Sequence, residues 1–365
     1  MKTEITEIFL KLVRMGVGTD HLASTPAHID WTEIKKLADK HRLTAIVLDA
    51  ADKLQPNSTN EIPLHMKLEW IGEVLQNYEQ RYALYEKAIS LLAGFYNQHG
   101  YKMMVLKGYA CSLDWPVPNH RPCGDIDIWL FGQQKAADKA LVSSFRVQNP
   151  SFKIDVSHHH HTVFEWNGFS VENHYDFINV HHHKSNVKFE QILKKLGEDD
   201  SHYVELSGER VYLPSPNLHA LFLLKHMMLH FSTGEMTLRQ LLDWGFFVKA
   251  HGKEIDWEWL DGVLDDFGMT SLYNVFNAIC VGDLGFDVNI FPKVQFDPQL
   301  KDRVLNDILA PEFDENMPSG LLKRLSWKWR RWKANEWKHE LCYKESMWSA
   351  FWSGVWGHLL KPKSI

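Results

Sequence analysis

The chain has 365 residues, 45% of them hydrophobic, and its 40 lysines and arginines stand against 46 aspartates and glutamates, a formal net charge of −6. This length allows two or three domains, and the hydrophobic content excludes a disordered chain. The negative net charge argues against a nucleic-acid-binding surface over the whole protein, although it leaves room for a local basic patch.

Cysteine usage and the N-terminus favour a cytoplasmic location. The four cysteines are far apart and include no C-x-x-C pair, so they predict neither a zinc ribbon nor a disulfide framework. Residues 1–12 carry acidic side chains where a signal peptide needs a cationic segment, and we interpret them as an amphipathic helix. The longest charge-free apolar stretch, residues 346–360, is shorter than the roughly 20 residues that cross a bilayer, so no transmembrane span is predicted.

The first part of the chain is predicted to be helical. Apolar residues recur every three or four positions from Ile5 to about Arg81. A further helix is predicted over residues 84–99 and should end at Gly100, because glycine readily adopts the positive φ that closes many helices.

The hydrophobic period then changes. Residues 103–106 form a short apolar run that is typical of a buried strand. Residues 125–131 and 169–176 alternate polar and apolar side chains, as half-buried strands do, and residues 134–145 have a helical period. The predicted order is therefore strand, loop, strand, helix and strand.

The helical period returns from Pro216 onward. We therefore predict an α+β protein in which a small mixed β-sheet core is flanked by N-terminal and C-terminal helical regions. The expected regions are an N-terminal helical region (1–83), an α/β core (84–190), a helical region packing on the core (191–320) and a tryptophan-rich helical tail (321–365).

Two aspartates, Asp125 and Asp127, are the first candidates for chemistry. Side chains alternate between the two faces of a strand, so these carboxylates are expected to point the same way. A cation between them would offset their repulsion, and oxygen ligands suit Mg²⁺ or Mn²⁺. The alternative is a solvated acidic face on a surface strand.

The turn before this strand has the residues of a phosphate site. The apolar strand continues into Lys107 and Gly108, and a short helix is predicted directly after them. A strand–glycine–helix turn lets backbone N–H groups approach a phosphate closely. Arg121 is a further candidate phosphate ligand, and its alternative is a salt bridge to Asp114 or Asp125.

These motifs together resemble a known family. The segments Leu106-Lys-Gly-Tyr-Ala, Trp115-Pro-Val-Pro and Arg121-Pro-Cys-Gly-Asp-Ile-Asp-Ile-Trp-Leu resemble the uncharacterised nucleotidyltransferase family of the DNA polymerase β-like superfamily. Flanking helices are similar as well, so the resemblance covers most of the chain. It implies a nucleoside triphosphate as substrate, Mg²⁺ or Mn²⁺ as cofactor, and an acceptor that is a protein, an RNA or a small molecule.

The resemblance also implies a third carboxylate on a later strand. The segment Val171-Glu-Asn-His-Tyr is similar to the family segment that carries this group. Glu172 is therefore the candidate third metal ligand, and His174 is a candidate nucleotide-binding residue beside it. Asp155 is the rival for the third carboxylate.

The mechanism implied by the resemblance is a two-metal transfer of a nucleoside monophosphate to a hydroxyl group, with release of pyrophosphate. Asp125 and Asp127 would bridge both ions, and Glu172 would hold the ion nearer to the acceptor. Lys107, Gly108 and Arg121 would bind the nucleotide.

Departures from the family pattern keep other functions open. Tyr109 follows Gly108 where the superfamily usually has a second glycine or a serine, and Asn173 replaces an apolar residue. A catalytically inactive nucleotide-binding protein is therefore one alternative.

A second alternative is a peripheral membrane or scaffold protein that uses the tail. One helical stripe of the tail consists of Trp348, Trp352, Val355, Trp356 and Leu359. Tryptophan mixed with lysine and arginine is favoured at a membrane interface, but such a stripe more often packs on its own protein, and we interpret it as structural.

Two histidine runs, residues 158–161 and 181–183, invite a metal-binding interpretation. Only alternate residues of a strand share a face, so each run offers at most two ligands to one ion. We interpret these histidines as residues of solvent-facing loops or of the nucleotide or acceptor pocket.

Overall fold

The computed structural model describes residues 3–20, 28–54, 61–146, 149–181, 183–292, 295–350 and 352. The tail residues Val355, Trp356 and Leu359, and His182 of the second histidine run, lie outside these ranges. The chain divides into two compact units. The helical unit consists of Met1–Tyr78, Trp115–Arg121 and Leu224–Lys344, and the α/β unit consists of Glu79–Asp114, Pro122–Leu223 and Glu345–Ile365.

Helices make up most of the described residues. In chain order the α-helices found there are α1 (Glu4–Val17), α2 (Trp31–His41), α3 (Thr44–Lys53), α4 (Leu64–Val74), α5 (Arg81–Gln98), α6 (Tyr109–Ser112), α7 (Gln134–Phe145), α8 (Ser185–Leu196), α9 (Pro216–Thr233), α10 (Leu238–His251), α11 (Trp257–Asp266), α12 (Thr270–Gly282), α13 (Pro298–Leu309), α14 (Leu321–Ala334) and α15 (Glu336–Cys342). A π-helical segment, Leu75–Gln80, joins α4 to α5. None of the helices in the described ranges is both long and apolar enough to cross a membrane.

The strands that the described ranges contain form one six-stranded mixed sheet. They are β1 (Met104–Val105), β2 (Ile126–Trp129), β3 (His161–Trp166), β4 (Phe169–His174), β5 (Tyr203–Leu206) and β6 (Glu209–Tyr212). Their order across the sheet is β3-β4-β2-β1-β6-β5. β2 runs parallel to β4, β1 runs parallel to β6, and the remaining neighbours are antiparallel. These elements confirm the predicted α+β fold.

In the helical unit, capping residues determine where the first helix begins and ends. Thr3 caps α1 by accepting a hydrogen bond from the backbone N–H of Thr6, and Gly18 ends the helix with a φ of 75°. α1 crosses α3 so closely that a Cβ on Gly16 would lie 2.1 Å from the carbonyl oxygen of Ile46. The amphipathic helix predicted at the N-terminus is therefore present, and its apolar face is buried.

His41 is a fully buried histidine of this unit. Its ring stacks on Phe9 at 5.6 Å, and its Nδ1 accepts a hydrogen bond from the backbone N–H of Leu238. Burial lowers the pKa of His41 from 6.5 to about 3, and the positive charge of Lys40 adds to this effect. His41 is therefore neutral in the folded protein at pH values where the unfolded chain binds a proton.

Acid should consequently destabilise the protein through His41. The depressed pKa of this group contributes stability above pH 6.5 that is lost as the pH falls, about 1.4 kcal/mol between pH 7.5 and 5.5. We expect His41→Gln to remove this part of the pH dependence, whereas His99→Gln, at an exposed histidine, should leave it intact. Urea denaturation at a series of pH values measures the difference, and equal pH slopes for His41→Gln and the wild type would contradict it.

In the α/β unit, α5 and α7 cover one face of the sheet. The core between them is aromatic and aliphatic and includes Tyr85, Tyr96, Ile128, Leu141 and Val171. Because side chains alternate along a strand, the residues between these apolar positions project from the opposite face. That second face carries the polar residues of the site described below.

The sequence predicted half of this sheet. The strands expected over residues 103–106, 125–131 and 169–176 correspond to β1, β2 and β4, and the helix expected over 134–145 is α7. Gly100 has the predicted positive φ, 78°. β3 and the hairpin of β5 and β6 were not predicted, so the described sheet has six strands instead of three.

Candidate active site

The turn after β1 is built around a glycine. Gly108 has φ 58° and ψ −97°, and α6 begins at the next residue. A Cβ at this position would lie 2.3 Å from the hydroxyl oxygen of Tyr85. That hydroxyl donates a hydrogen bond of 2.8 Å to the backbone carbonyl of Asp125. The turn therefore requires glycine, both for its backbone angles and for the space that Tyr85 occupies.

Asp127 is a buried carboxylate in the middle of β2, and 5% of the residue is exposed. One of its oxygens, Oδ1, lies 2.8 Å from Nζ of Lys107 and 3.1 Å from Nε2 of His174. Burial alone would raise the pKa of Asp127, but the charge of Lys107 and the hydrogen bond from His174 outweigh it and hold this pKa below its usual range. Asp127 is therefore ionised despite its burial.

Glu172 stands beside Asp127 on the neighbouring strand. β2 and β4 are parallel, and their register pairs Asp127 with Glu172 and Trp129 with His174. Directly paired residues share a face, so both carboxylates and the imidazole project together. Oε2 of Glu172 lies 3.6 Å from Nε2 of His174. The strand register thus brings three of the residues singled out in the sequence into one cluster.

His174 connects the two carboxylates. Burial alone would lower the pKa of His174, but its hydrogen bonds to Asp127 and Glu172 raise that pKa to about 9. Its other ring nitrogen, Nδ1, lies 3.2 Å from the backbone carbonyl of Asp176, which fixes the orientation of the ring. The raised pKa favours the protonated imidazolium in the metal-free protein, and this form cannot act as a general base.

The cluster contains negative and positive side chains in equal number. Two carboxylates, Asp127 and Glu172, face two cations, Lys107 and His174. Asp127, Glu172 and His174 each offer an atom that could ligate a metal ion, and these atoms lie within 4.8 Å of one another. Two adjacent carboxylate oxygens are donors that Mg²⁺ and Mn²⁺ accept, so the residues fit such an ion.

A comparison with known protein families shows to which family this chain belongs. Residues 27–276, more than half of the chain, match a family described as uncharacterised nucleotidyltransferase. The chain belongs to this nucleotidyltransferase family. The match includes Lys107, Gly108, Asp127, Glu172 and His174. No curated protein and no solved structure matches the chain.

In this nucleotidyltransferase-family chain, the two aspartates of the motif occupy different environments. β2 begins at Ile126, so Asp125 lies one residue before the strand, and its side chain is exposed whereas that of Asp127 is buried. Among the described residues, the group of ligand atoms within 4.8 Å of one another contains Asp127 and not Asp125. The role of Asp125 as a bridging ligand remains a prediction.

Arg121 has an acidic partner that the sequence did not indicate. It belongs to the helical unit, where its guanidinium donates to both carboxylate oxygens of Asp243 at 2.7 and 3.0 Å. Arg239, one helical turn before Asp243 on α10, also lies 3.2 Å from that carboxylate. Arg121 is 4% exposed, and its predicted contact with nucleotide remains a prediction.

Asp155 occupies a different position from Glu172. It forms an isolated bridge with Val163 on β3, and β3 lies between it and β4. Its carboxylate accepts a hydrogen bond from the backbone N–H of Ser157 at 2.8 Å, as in a polar turn. Glu172 is directly paired with Asp127, so the geometry favours Glu172 as the third carboxylate.

Asn173, a departure from the family pattern, faces away from the cluster. It is fully buried on the helix-covered face of the sheet, and its Nδ2 donates a 2.7 Å hydrogen bond to Asp138 of α7. Asp138 also accepts a hydrogen bond of 2.8 Å from Thr162 on β3. The Asn173 amide therefore donates to the Asp138 carboxylate on the helix-covered face of the sheet. It does not belong to the cluster around Asp127, which lies on the other face.

The sequence did not single out His161 among the residues of its histidine run, because β3 was not predicted. His161 pairs with His174 across β3 and β4, and its Nδ1 lies 3.8 Å from Oε2 of Glu172. The missed signal is Asn167-Gly168, a two-residue turn in which both residues have positive φ. Counting outward from that turn pairs residue 161 with residue 174, so the hairpin and its register could have been predicted.

Proposed function

We propose that this chain transfers a nucleoside monophosphate from a nucleoside triphosphate to a hydroxyl group, with Mg²⁺ or Mn²⁺ as cofactor and pyrophosphate as the second product. The observation that carries the proposal is the buried, ionised Asp127, bonded to Lys107 and paired in register with Glu172. A buried carboxylate with a second, half-buried one beside it is poorly explained by stability, because buried charges contribute little to it. The acceptor is a protein, an RNA or a small molecule.

Each residue of the proposed site has its own role in binding the metal ions or the nucleotide. Asp125, Asp127 and Glu172 would hold the metal ions. Bound metal supplies charge neutralisation at the phosphates and a lower pKa for the attacking hydroxyl. Lys107 neutralises a phosphate oxygen with its ammonium group, and Gly108 lets the backbone approach the triphosphate closely. His174 is the further nucleotide ligand that we propose on the α/β unit, and the candidate role of Arg121 as a nucleotide ligand is a separate proposal.

The transfer is a single displacement at the α-phosphorus. The acceptor oxygen forms a bond to this phosphorus while the bond to the bridging oxygen of the β-phosphate breaks, and pyrophosphate leaves. The proton of the acceptor hydroxyl passes to Glu172, because the neighbouring His174 is already protonated. We also propose a cytoplasmic location, because all four cysteines are present as thiols.

Calorimetry with the purified wild-type chain tests this proposal. ATP, GTP, CTP and UTP would each be titrated with Mg²⁺ and again after chelation, with the corresponding monophosphates as controls. We expect metal-dependent binding of at least one triphosphate and much weaker binding of its monophosphate, because Lys107 and the metal act on the β- and γ-phosphates. If no triphosphate binds under any metal condition, the proposal is wrong.

A pair of variants tests the choice of the third carboxylate. We expect Glu172→Gln to lower the rate of nucleotide transfer by about 100-fold, because the amide removes one metal ligand and the proton acceptor. Asp155→Asn should leave that rate unchanged, because its carboxylate caps a turn and lies 3.7 Å from His158, outside the group of ligand atoms that contains Asp127. Pyrophosphate release and metal-dependent triphosphate binding would be measured for both. The opposite ranking of the two variants would assign the role to Asp155.

A further inference from the structure

A group of histidines adjoins the carboxylate pair. His160, His161 and His174 each offer a ring nitrogen, and the three ligand atoms lie within 4.8 Å of one another. The ring centroids of His160 and His161 are 4.3 Å apart, and those of His161 and His174 are 5.3 Å apart. The hairpin of β3 and β4 is responsible, because its register pairs His161 with His174. Three imidazoles therefore converge on one point of the sheet.

Two ring nitrogens of this group lack the hydrogen-bond partners that buried histidines usually have. Nδ1 of His160 and Nδ1 of His161 are buried within the described part of the chain and have no hydrogen-bond partner. His161 is 7% exposed, so solvent does not replace that partner. Buried polar atoms are nearly always satisfied in folded proteins, so an unsatisfied nitrogen of His161 that faces Glu172 fits a ligand-binding role.

The spacing of the donor atoms fits a metal ion. Nδ1 of His161 and Nε2 of His174 lie 3.8 and 3.6 Å from Oε2 of Glu172. When a tetrahedral ion binds imidazole nitrogens at about 2.0–2.1 Å, neighbouring ligand atoms lie roughly 3.3 Å apart. A contraction of about half an ångström would therefore bring these three atoms into coordination, and His174 would release its proton, because a metal ligand must be a neutral imidazole.

The donor set selects the class of metal. Three imidazoles with one carboxylate suit Zn²⁺ and related transition-metal ions, whereas Mg²⁺ prefers oxygen ligands alone. We propose that His160, His161 and His174, together with Glu172, form a binding site for a transition-metal ion of the Zn²⁺ class. This site goes beyond the proposed function: its ligands include two histidines that nucleotide transfer does not use, and it requires no nucleotide.

The neighbouring histidines are arranged differently. His158 stacks on His161 at 4.7 Å, and His159 packs against His181 at 4.8 Å. The two proposed ligands from the first histidine run are therefore the adjacent residues His160 and His161. Adjacent residues of a regular strand would point to opposite faces. His160 can join because it precedes β3, which begins at His161.

Titration of the full-length, untagged and chelator-treated chain with Co²⁺ tests the site without nucleotide. Co²⁺ takes the place of Zn²⁺ and absorbs visible light when it is bound by nitrogen and oxygen ligands. We expect one equivalent to bind and Zn²⁺ to displace it. His161→Ala should lower the Co²⁺ affinity at least about tenfold, the least expected when a ligand is lost. His99→Ala, at an exposed histidine, should bind like the wild type.

A second variant protects the test against misfolding. Circular dichroism would establish that each variant folds, and if His161→Ala does not, His160→Ala must show the loss of affinity instead. The site is disproved if the wild type binds no Co²⁺, or if folded variants at both positions bind it like the wild type. Asp125→Asn should lose metal-dependent triphosphate binding yet retain Co²⁺ binding. Failure of the histidine site and failure of nucleotide transfer are thus separate results.

Discussion

Replacing Asp127 by asparagine is expected to abolish metal-dependent triphosphate binding and to lower nucleotide transfer by about 1,000-fold or more, because several kcal/mol of charge stabilisation are lost. The substitution keeps the shape of the side chain and removes its charge. It also leaves Lys107 and His174 without the negative charge of the oxygen that they share at 2.8 and 3.1 Å. Calorimetry with the preferred triphosphate and an assay of pyrophosphate release measure both effects.

Asp138→Asn is the matched control for this variant. Asp138 is a half-buried aspartate of the α/β unit, but it accepts its hydrogen bonds from Thr162 and Asn173 on the helix-covered side of the sheet. Burial raises the pKa of Asp138 and hydrogen bonds from Asn173 and Thr162 oppose this, whereas Lys107 and His174 hold the pKa of Asp127 low. We expect Asp138→Asn to alter stability and to retain triphosphate binding. Equal loss of binding in both variants would mean that neither effect reflects metal coordination.

Gly108→Ala is the second change for which we expect a large effect. A Cβ at this position meets the hydroxyl of Tyr85 at 2.3 Å, and the backbone has φ 58° and ψ −97°. We expect the free energy of unfolding to fall by about 3 kcal/mol, the sum of backbone strain and displacement of a buried side chain. Triphosphate binding should weaken too, because the same turn positions Lys107. Urea denaturation and calorimetry measure the two losses.

Two further variants separate the causes of this loss. Gly100→Ala also forces a positive φ, 78°, but a Cβ there meets nothing within 4 Å, so it should cost about 1 kcal/mol. Tyr85→Phe removes the clashing hydroxyl, leaving the ring carbon 3.4 Å from the new Cβ. The double variant Gly108→Ala/Tyr85→Phe should therefore be more stable than the two single losses added together predict. Strict additivity would show that the clash does not determine the cost.

The strands that carry the site were predictable where their side chains alternate. The alternation around Asp127 and Glu172 indicated β2 and β4 and placed each acid on the polar face of its strand. The pairing of β2 with β4 could not be predicted from this alternation. Parallel neighbours are separated by a crossover, and their register depends on the whole sheet. The resemblance to the family implied a third carboxylate on a later strand, but it did not give this register.

Long-range ion pairs were the least predictable feature. Arg121 binds Asp243, which lies 122 positions further along the chain, whereas the partners suggested by the sequence were close neighbours. Lys107 was expected to bind phosphate, and its 2.8 Å contact with Asp127 arises only because β1 and β2 are adjacent and antiparallel. Local periodicity determines which way a side chain points, but it does not determine what lies opposite.

The contact between Lys107 and Asp127 also couples the two ligands of the proposed reaction. An ion arriving alone must compete with an ammonium group that already neutralises Asp127, so occupancy by free Mg²⁺ should be low. An ion that arrives with a triphosphate offers Lys107 a new anionic partner, and the exchange of partners is then nearly balanced in charge. Metal and nucleotide should therefore raise each other's affinity by the same factor, because thermodynamic coupling between two ligands is reciprocal.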